Sequence, residues 1–271
     1  MTLYVSDLDG TLLNSSAHLS DKSVELINEA IKNNTNFTIA TARTPATIVP
    51  ILKDINIKMP VITMNGCSIY DLKSNKYLHT ISIDTNVVPK LQQLISEEGL
   101  NPFIYTLKNN HLTVYHNELT LPHQIKFYEE RKGSPLKTFI KEPLPKNSEV
   151  LYFTIMDSKE KVSKLYSKLV NIKEISMVMY SDTYTEGVYN LEIYNHNASK
   201  SNAINYLKNH LYFDELITFG DNLNDIPMFK ISNECYAVEN AANELKEIAT
   251  DIIGPNTSDS VAKFIFNHSN K

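Results

Sequence analysis

Apolar positions recur with two different periods along this chain, and the rhythm changes twice. Leu3-Tyr4-Val5 is an unbroken apolar run, the pattern of a strand buried on both faces in a parallel sheet. Residues 19–33 place Val24, Ile27, Ala30 and Ile31 on one helical face behind Ser20, a suitable N-cap. Residues 36–40 read as a second strand. Thr44-Pro45 then reads as the cap and first turn of a helix carrying Ile48, Ile51, Leu52 and Ile55. Residues 60–64 predict a third strand, ending at Asn65-Gly66. Strand–helix alternation of this kind predicts a parallel sheet with helices on its faces.

The alternation then stops. Residues 68–82 read as a hairpin turning near Lys73-Ser74-Asn75. Beyond it, short strands come in pairs: 102–107 with 111–116, then 150–156, 175–181 and 188–194. Helical stretches at 87–98, 121–131 and 159–170 intervene. Paired strands with interspersed helices predict a separate α+β unit. From Ala198 the first rhythm returns, with a helix behind Ser199 whose apolar face is Ala203, Ile204, Leu207 and Leu211. Strands at 215–219, 234–238 and 251–253 and helices at 240–249 and 258–266 complete it. The fold class is therefore α/β: a Rossmann-like, doubly wound parallel-sheet core of residues 1–82 and 190–271. An α+β domain of residues 83–189 is inserted in it, an insertion of domain size.

Composition narrows the function. The 271 residues carry a net charge of −5, and only Arg43 and Arg131 of the 26 basic residues are arginine. An acidic chain with no basic run has no electrostatic reason to bind nucleic acid or an anionic membrane. No apolar run is long enough to span a bilayer, and the first strand begins too early for a signal peptide to precede it. Cys67 and Cys235 stand far apart with no metal-ligand spacing, as free thiols do in a reducing compartment. A cytoplasmic protein is expected.

In a doubly wound sheet, functional groups gather beyond the carboxyl ends of the strands. Four such ends are polar here. Asp7 and Asp9, two residues apart in extended backbone, point the same way. Such a pair is a metal site, an acid/base pair, or both. Gly10 then turns the backbone so that free N–H groups can meet an anion. Thr41 stands just past the second strand, Lys200 opens a helix, and Asp221 and Asp225 occupy a later strand-to-helix turn. Carboxylates, a hydroxyl and a lysine around one point suit phosphoryl transfer, which needs a hard cation and donors for spreading negative charge.

These residues resemble a known family. Asp7-Leu8-Asp9-Gly10-Thr11, Ala40-Thr41-Ala42-Arg43, the Lys200 helix start and Gly220-Asp221-Asn222-Leu223-Asn224-Asp225 resemble the four motifs of the haloacid dehalogenase superfamily. Their order and the position of the insertion resemble its Cof-type phosphatases, which carry a large α/β cap. The resemblance implies a Mg²⁺-dependent phosphatase of small phosphorylated metabolites, sugar phosphates or cofactor-precursor phosphates, working through an aspartyl-phosphate. Asp7 would be the nucleophile and Asp9 the acid and base. Mg²⁺ would be held by the Asp7 carboxylate, the Asp9 carbonyl and Asp221. Asp225 would reach the ion through water or orient Lys200. Thr41 and Lys200 would hold the phosphoryl oxygens, and the resemblance adds Asn224, although asparagine there also suits an N-cap. Arg43 would either join them or pair with a core carboxylate.

Three positions depart from the family pattern: Ala42, Ser201 and Glu239 stand where glycine is usual. A phosphomutase of the same architecture and a non-catalytic metabolite-binding module are the competing expectations. A dinucleotide dehydrogenase is disfavoured, since no Gly-x-Gly-x-x-Gly follows a strand.

Overall fold

A computed structural model describes residues 1–182 and 185–269. The chain forms two units, Met1–His79 with Ser199–Lys271, and Thr80–Ala198.

The first unit opens with β1 (Thr2–Ser6), buried from Leu3 onward. After it come α1 (Asp21–Lys32), β2 (Asn36–Ile39), α2 (Pro45–Leu52), β3 (Val61–Thr63), β4 (Ser68–Asp71) and β5 (Lys76–Thr80). Helix α1 begins where its cap predicts: Ser20 Oγ accepts the Ser23 amide at 2.9 Å. Its Leu26, Ile27, Ala30 and Ile31 are buried in the same core as Leu3, Val5 and Phe37.

The second unit contains α3 (Val88–Glu97), β6 (Pro102–Lys108), β7 (His111–Tyr115), α4 (Pro122–Arg131) and β8 (Lys137–Ile140). It continues with β9 (Val150–Ser158), α5 (Lys159–Leu169), β10 (Ile175–Ser181) and β11 (Val188–Asn195). Its sheet runs β10-β11-β9-β6-β7-β8, antiparallel throughout except for the parallel β7–β8 pair. Leu91 and Ile95 of α3 and Val162, Leu165 and Leu169 of α5 bury against Phe153, Leu191 and Ile193 of this sheet. The sequence reading ends this domain at residue 189. Strand β11 runs on to Asn195 and pairs with both β9 and β10, which carries the unit to Ala198.

The chain then returns through α6 (Lys200–His210), β12 (Glu215–Gly220), α7 (Ile226–Phe229), β13 (Glu234–Val238), α8 (Asn243–Lys246), β14 (Asp251–Ile253) and α9 (Ser260–Ser269). The main sheet of the first unit has the order β14-β13-β12-β1-β2, with every pair parallel. Strand β1 thus lies between β2, which follows it in the chain, and β12, which arrives some two hundred residues later. The crevice beyond the carboxyl ends of such neighbouring strands is where an open α/β sheet receives ligands. Strand β3 meets the main sheet at the Ala40–Ile62 bridge and pairs antiparallel with β4. The helix expected over residues 240–249 is shorter. The Ala242 amide donates to the Asp221 carbonyl at 2.8 Å, which holds the chain out of helix until α8 begins.

Candidate active site

The carboxyl ends of β1 and β12 deliver four aspartates. The Asp7 amide donates to the Phe219 carbonyl at 2.9 Å, continuing the ladder between the two strands by one residue. Beyond it the chain folds into a tight loop closed by the Leu13 amide on the Leu8 carbonyl, 2.8 Å. Gly10 makes this loop possible in two ways. Its φ of +76° is disfavoured for side-chain-bearing residues, and a Cβ there would lie 2.4 Å from Asp221 Oδ2. Thr11 Oγ1 donates to Asp221 Oδ1 at 3.2 Å, so the first loop grips the β12 turn directly.

Lys200 is the hub of the buried part. Its Nζ donates to Asp7 Oδ1 at 2.5 Å and to Asp225 Oδ1 at 2.6 Å, with the lysine side chain 1% exposed. Ser199 caps α6 through the Asn202 amide at 3.1 Å, fixing where that lysine leaves the helix. The second Asp225 oxygen accepts the amides of Asp221 (3.0 Å) and Asn222 (3.1 Å). Asp225 is thus fully engaged between one cation and two amides. Asn222, rather than Asn224, is the cap of this turn.

Asp7, Asp221 and Asp225 each offer a carboxylate oxygen within 4.8 Å of the others. Burial pushes the Asp7 carboxyl well above the usual range. The charges of Asp225 and Asp221 add to this, while Lys200 opposes it. Burial and the neighbouring Asp225 raise Asp221 to about 6. Burial alone would lower Lys200, but Asp225 and Asp7 outweigh it and hold the ammonium above its ordinary value. One lysine is thus set among three close carboxylates, which leaves negative charge uncompensated. An all-oxygen donor set with excess negative charge fits a hard divalent cation.

Thr41 follows the end of β2, beside Asp7, because the Ala40 amide bonds to the Ser6 carbonyl at 2.9 Å. Its hydroxyl accepts the Arg43 amide at 3.2 Å, and its carbonyl accepts the Asn65 amide at 3.0 Å. Asp9 does not join the three-carboxylate cluster. Its side chain takes both ends of the Arg43 guanidinium, Nε to Oδ2 at 2.7 Å and an NH2 nitrogen to Oδ1 at 2.6 Å. Arg43 thus pairs with Asp9, a half-exposed carboxylate rather than one in the core. Asn224 reaches Asn65 Oδ1 at 3.4 Å. Of the three departures from the family pattern, Ser201 bonds the Ser199 hydroxyl at 3.0 Å and Glu239 is exposed.

Two supporting residues escape sequence reasoning. Asn65 is buried in the left-handed region at φ +55°, inside a turn that sequence reading treats as a simple exit from the sheet. Asn240 donates to the Gly10 carbonyl at 2.7 Å across a sequence separation of 230 residues. The only local signal for Asn65 is the Asn-Gly pair itself; for Asn240 there is none.

Comparison with known proteins shows the family. A family model described as haloacid dehalogenase-like hydrolase matches residues 4–265. The chain is 26% identical over 269 residues to the 5-amino-6-(5-phospho-D-ribitylamino)uracil phosphatase YcsE of Bacillus subtilis, covering 97% of this chain and 94% of that one. It is 23% identical over 274 residues to the pyridoxal phosphate phosphatase YbhA of Escherichia coli, covering 97% and 96%. Among solved structures, a haloacid dehalogenase-like hydrolase from Bacteroides thetaiotaomicron shares the fold at a TM-score of 0.81. That pair has 22% identity and covers 98% of this chain and 99% of the other. With the strand-end aspartates, the inserted α/β unit and the near full-length match in accord, the chain belongs to the haloacid dehalogenase-like hydrolases, as a phosphatase of the Cof type.

Proposed function

We propose that the protein hydrolyses phosphate monoesters of small metabolites, sugar phosphates or cofactor-precursor phosphates, with Mg²⁺ as cofactor and Asp7 as nucleophile. The observation that carries this reading is the buried Asp7–Lys200–Asp225 array beside Asp221. An Asp7 oxygen attacks phosphorus and the P–O bond to the leaving alcohol breaks, giving an aspartyl-phosphate. Asp9 delivers a proton to the departing oxygen and then takes one from the water that hydrolyses the intermediate. Lys200 holds the nucleophile in place and offsets repulsion between it and the anionic ester. Thr41 and Asn224 are the candidate donors to the phosphoryl oxygens, together with Lys200.

Asp7, Asp221 and the Asp9 carbonyl would hold the ion, and Asp225 would orient Lys200. When bound, Mg²⁺ supplies positive charge to the transferring phosphoryl group. The relatives named for pyridoxal phosphate and for a ribitylaminouracil phosphate support a phosphorylated primary alcohol on a cofactor or its precursor as the substrate class. Two buried cysteines and an acidic chain without a basic run support a cytoplasmic setting. No helix among the described residues is long and apolar enough to cross a membrane.

The test is phosphate release from a panel of metabolite monoesters with and without Mg²⁺. Activity should require the metal, and Asp7→Asn should abolish it while leaving the fold intact. Undiminished turnover by that variant refutes the assignment. Isomerised sugar phosphate without released phosphate identifies a mutase instead.

A further inference from the structure

Arg43 is one of only two arginines in a chain that otherwise uses lysine for its basic residues. It meets Asp9 as a fork on a fork, with two bonds of 2.7 and 2.6 Å. A lysine ammonium at this place would hold one oxygen as a point charge, whereas the planar guanidinium also fixes the plane of the carboxylate. Asp9 needs such a restraint. Its side chain is 49% exposed, and it stands in the loop beyond β1, outside the buried cluster that immobilises Asp7 and Asp225.

The arginine is itself held at its backbone. Its amide donates to Thr41 Oγ1 at 3.2 Å, and its carbonyl accepts the Met64 amide at 3.0 Å. The segment that follows β2 and the turn that follows β3 together anchor the base of this side chain. The guanidinium then links that base to the one carboxylate expected to move protons.

We infer that Arg43 is a positioning residue that acts through Asp9, orienting the proton donor toward the leaving oxygen, and is not a ligand of the phosphoryl group. This rests on the role proposed above for Asp9. Misplacing a general acid by a fraction of an ångström costs rate in proportion to how much the leaving group needs its proton. An alkoxide needs it greatly; p-nitrophenolate scarcely does.

The experiment compares Arg43→Ala, Arg43→Lys and wild type on an alkyl phosphate that the enzyme turns over and on p-nitrophenyl phosphate. It reads kcat/KM, which covers the steps up to departure of the alcohol, and inhibition by inorganic phosphate. For the alanine variant, kcat/KM should fall about 10- to 100-fold on the alkyl ester and less than about threefold on the aryl ester. Inhibition by phosphate should be unchanged, and the lysine variant should lie between alanine and wild type. Equal losses on both esters, weakened phosphate inhibition, or no loss at all would overturn the inference. Should Arg43→Ala fail to fold, Arg43→Gln carries the same comparison. Two controls keep the readings apart: no phosphate release by wild type from either ester means the phosphatase reading has failed, and retained activity of Asp7→Asn on both means that the nucleophile assignment has failed, each independently of Arg43.

Discussion

A methyl group on Gly66 would lie 2.2 Å from the carbonyl oxygen of Ser199, so the turn after β3 and the residue that caps α6 touch backbone to backbone. The next residue is Lys200, whose ammonium bridges Asp7 and Asp225. The glycine therefore sets the position of the lysine. Gly66 also has φ +93°, so any side chain there is strained before it meets its neighbour. Gly66→Ala should cost about 1–3 kcal/mol of stability. It should also lower kcat by roughly 10-fold or more, by shifting Lys200 away from Asp7. Urea unfolding and steady-state kinetics of the one variant measure both. Full activity with only a stability loss would mean that α6 absorbs the displacement without moving its first residue.

Removing the lysine itself separates charge from packing. Lys200→Met keeps most of the buried volume but leaves Asp7 and Asp225 facing each other without a cation. Breaking a buried pair by deleting one partner costs about 3–5 kcal/mol. The loss should be largest near pH 7 and smaller near pH 5, because burial already pushes the Asp7 carboxyl upward and protonation removes the repulsion. Denaturant unfolding in chelator at the two pH values measures this. Equal losses at both would point to packing as the cause.

The apolar runs of β1 and β12 are legible because both strands are buried on two faces, which requires an unbroken hydrophobic stretch. Their aspartates are legible because a parallel sheet brings strand ends to one edge, so residues 7 and 221 meet without any local signal linking them. Strand β8 is not legible. It is four residues long, lies among prolines and pairs parallel with β7, a partner that no local pattern announces. The end of the insertion is similarly hidden. Strand β11 has the composition of either unit, and only its pairing with β9 and β10 assigns it. The target of Arg43 lies beyond reading for another reason: an arginine near several carboxylates has no sequence feature that selects one of them.

On the proposed reading, Asp221 would tie acidity to metal binding. Its carboxyl titrates at about 6 in the folded chain because burial and Asp225 disfavour the charge; in an unfolded chain the value is about 3.9. Between these two values the folded protein holds more protons than the unfolded one, so this group makes stability fall as pH rises through that window. A divalent cation held there would bind the ionised form and reverse the penalty. The rise in Tm on adding Mg²⁺ should therefore be small at pH 5 and grow toward pH 7.5, and Asp221→Asn should flatten it. Thermal melts with and without the ion provide the measurement. A shift of equal size at both pH values would dissociate Asp221 from the cation.

The Gly10 loop is braced from outside by one exposed side chain. Asn240 donates its amide hydrogen to the Gly10 carbonyl at 2.7 Å, while its own oxygen accepts the Asn256 amide at 3.1 Å. Asn256 in turn donates to the Leu13 carbonyl at 2.8 Å, so the middle of the loop and its far end hang on the same pair of asparagines. Because Asn240 is exposed, its removal costs little solvation, and Asn240→Ala should destabilise the protein by about 1 kcal/mol or less. The loop it braces carries Asp9 and packs against Asp221, so kcat/KM should nevertheless fall about 5- to 20-fold, and more Mg²⁺ should be needed for half-maximal activity. Asn240→Asp distinguishes the two bonds. It keeps the acceptor for Asn256 but lacks the donor for Gly10, and it should behave like the alanine variant. If the aspartate variant instead matches wild type, the bond that matters is the one to Asn256.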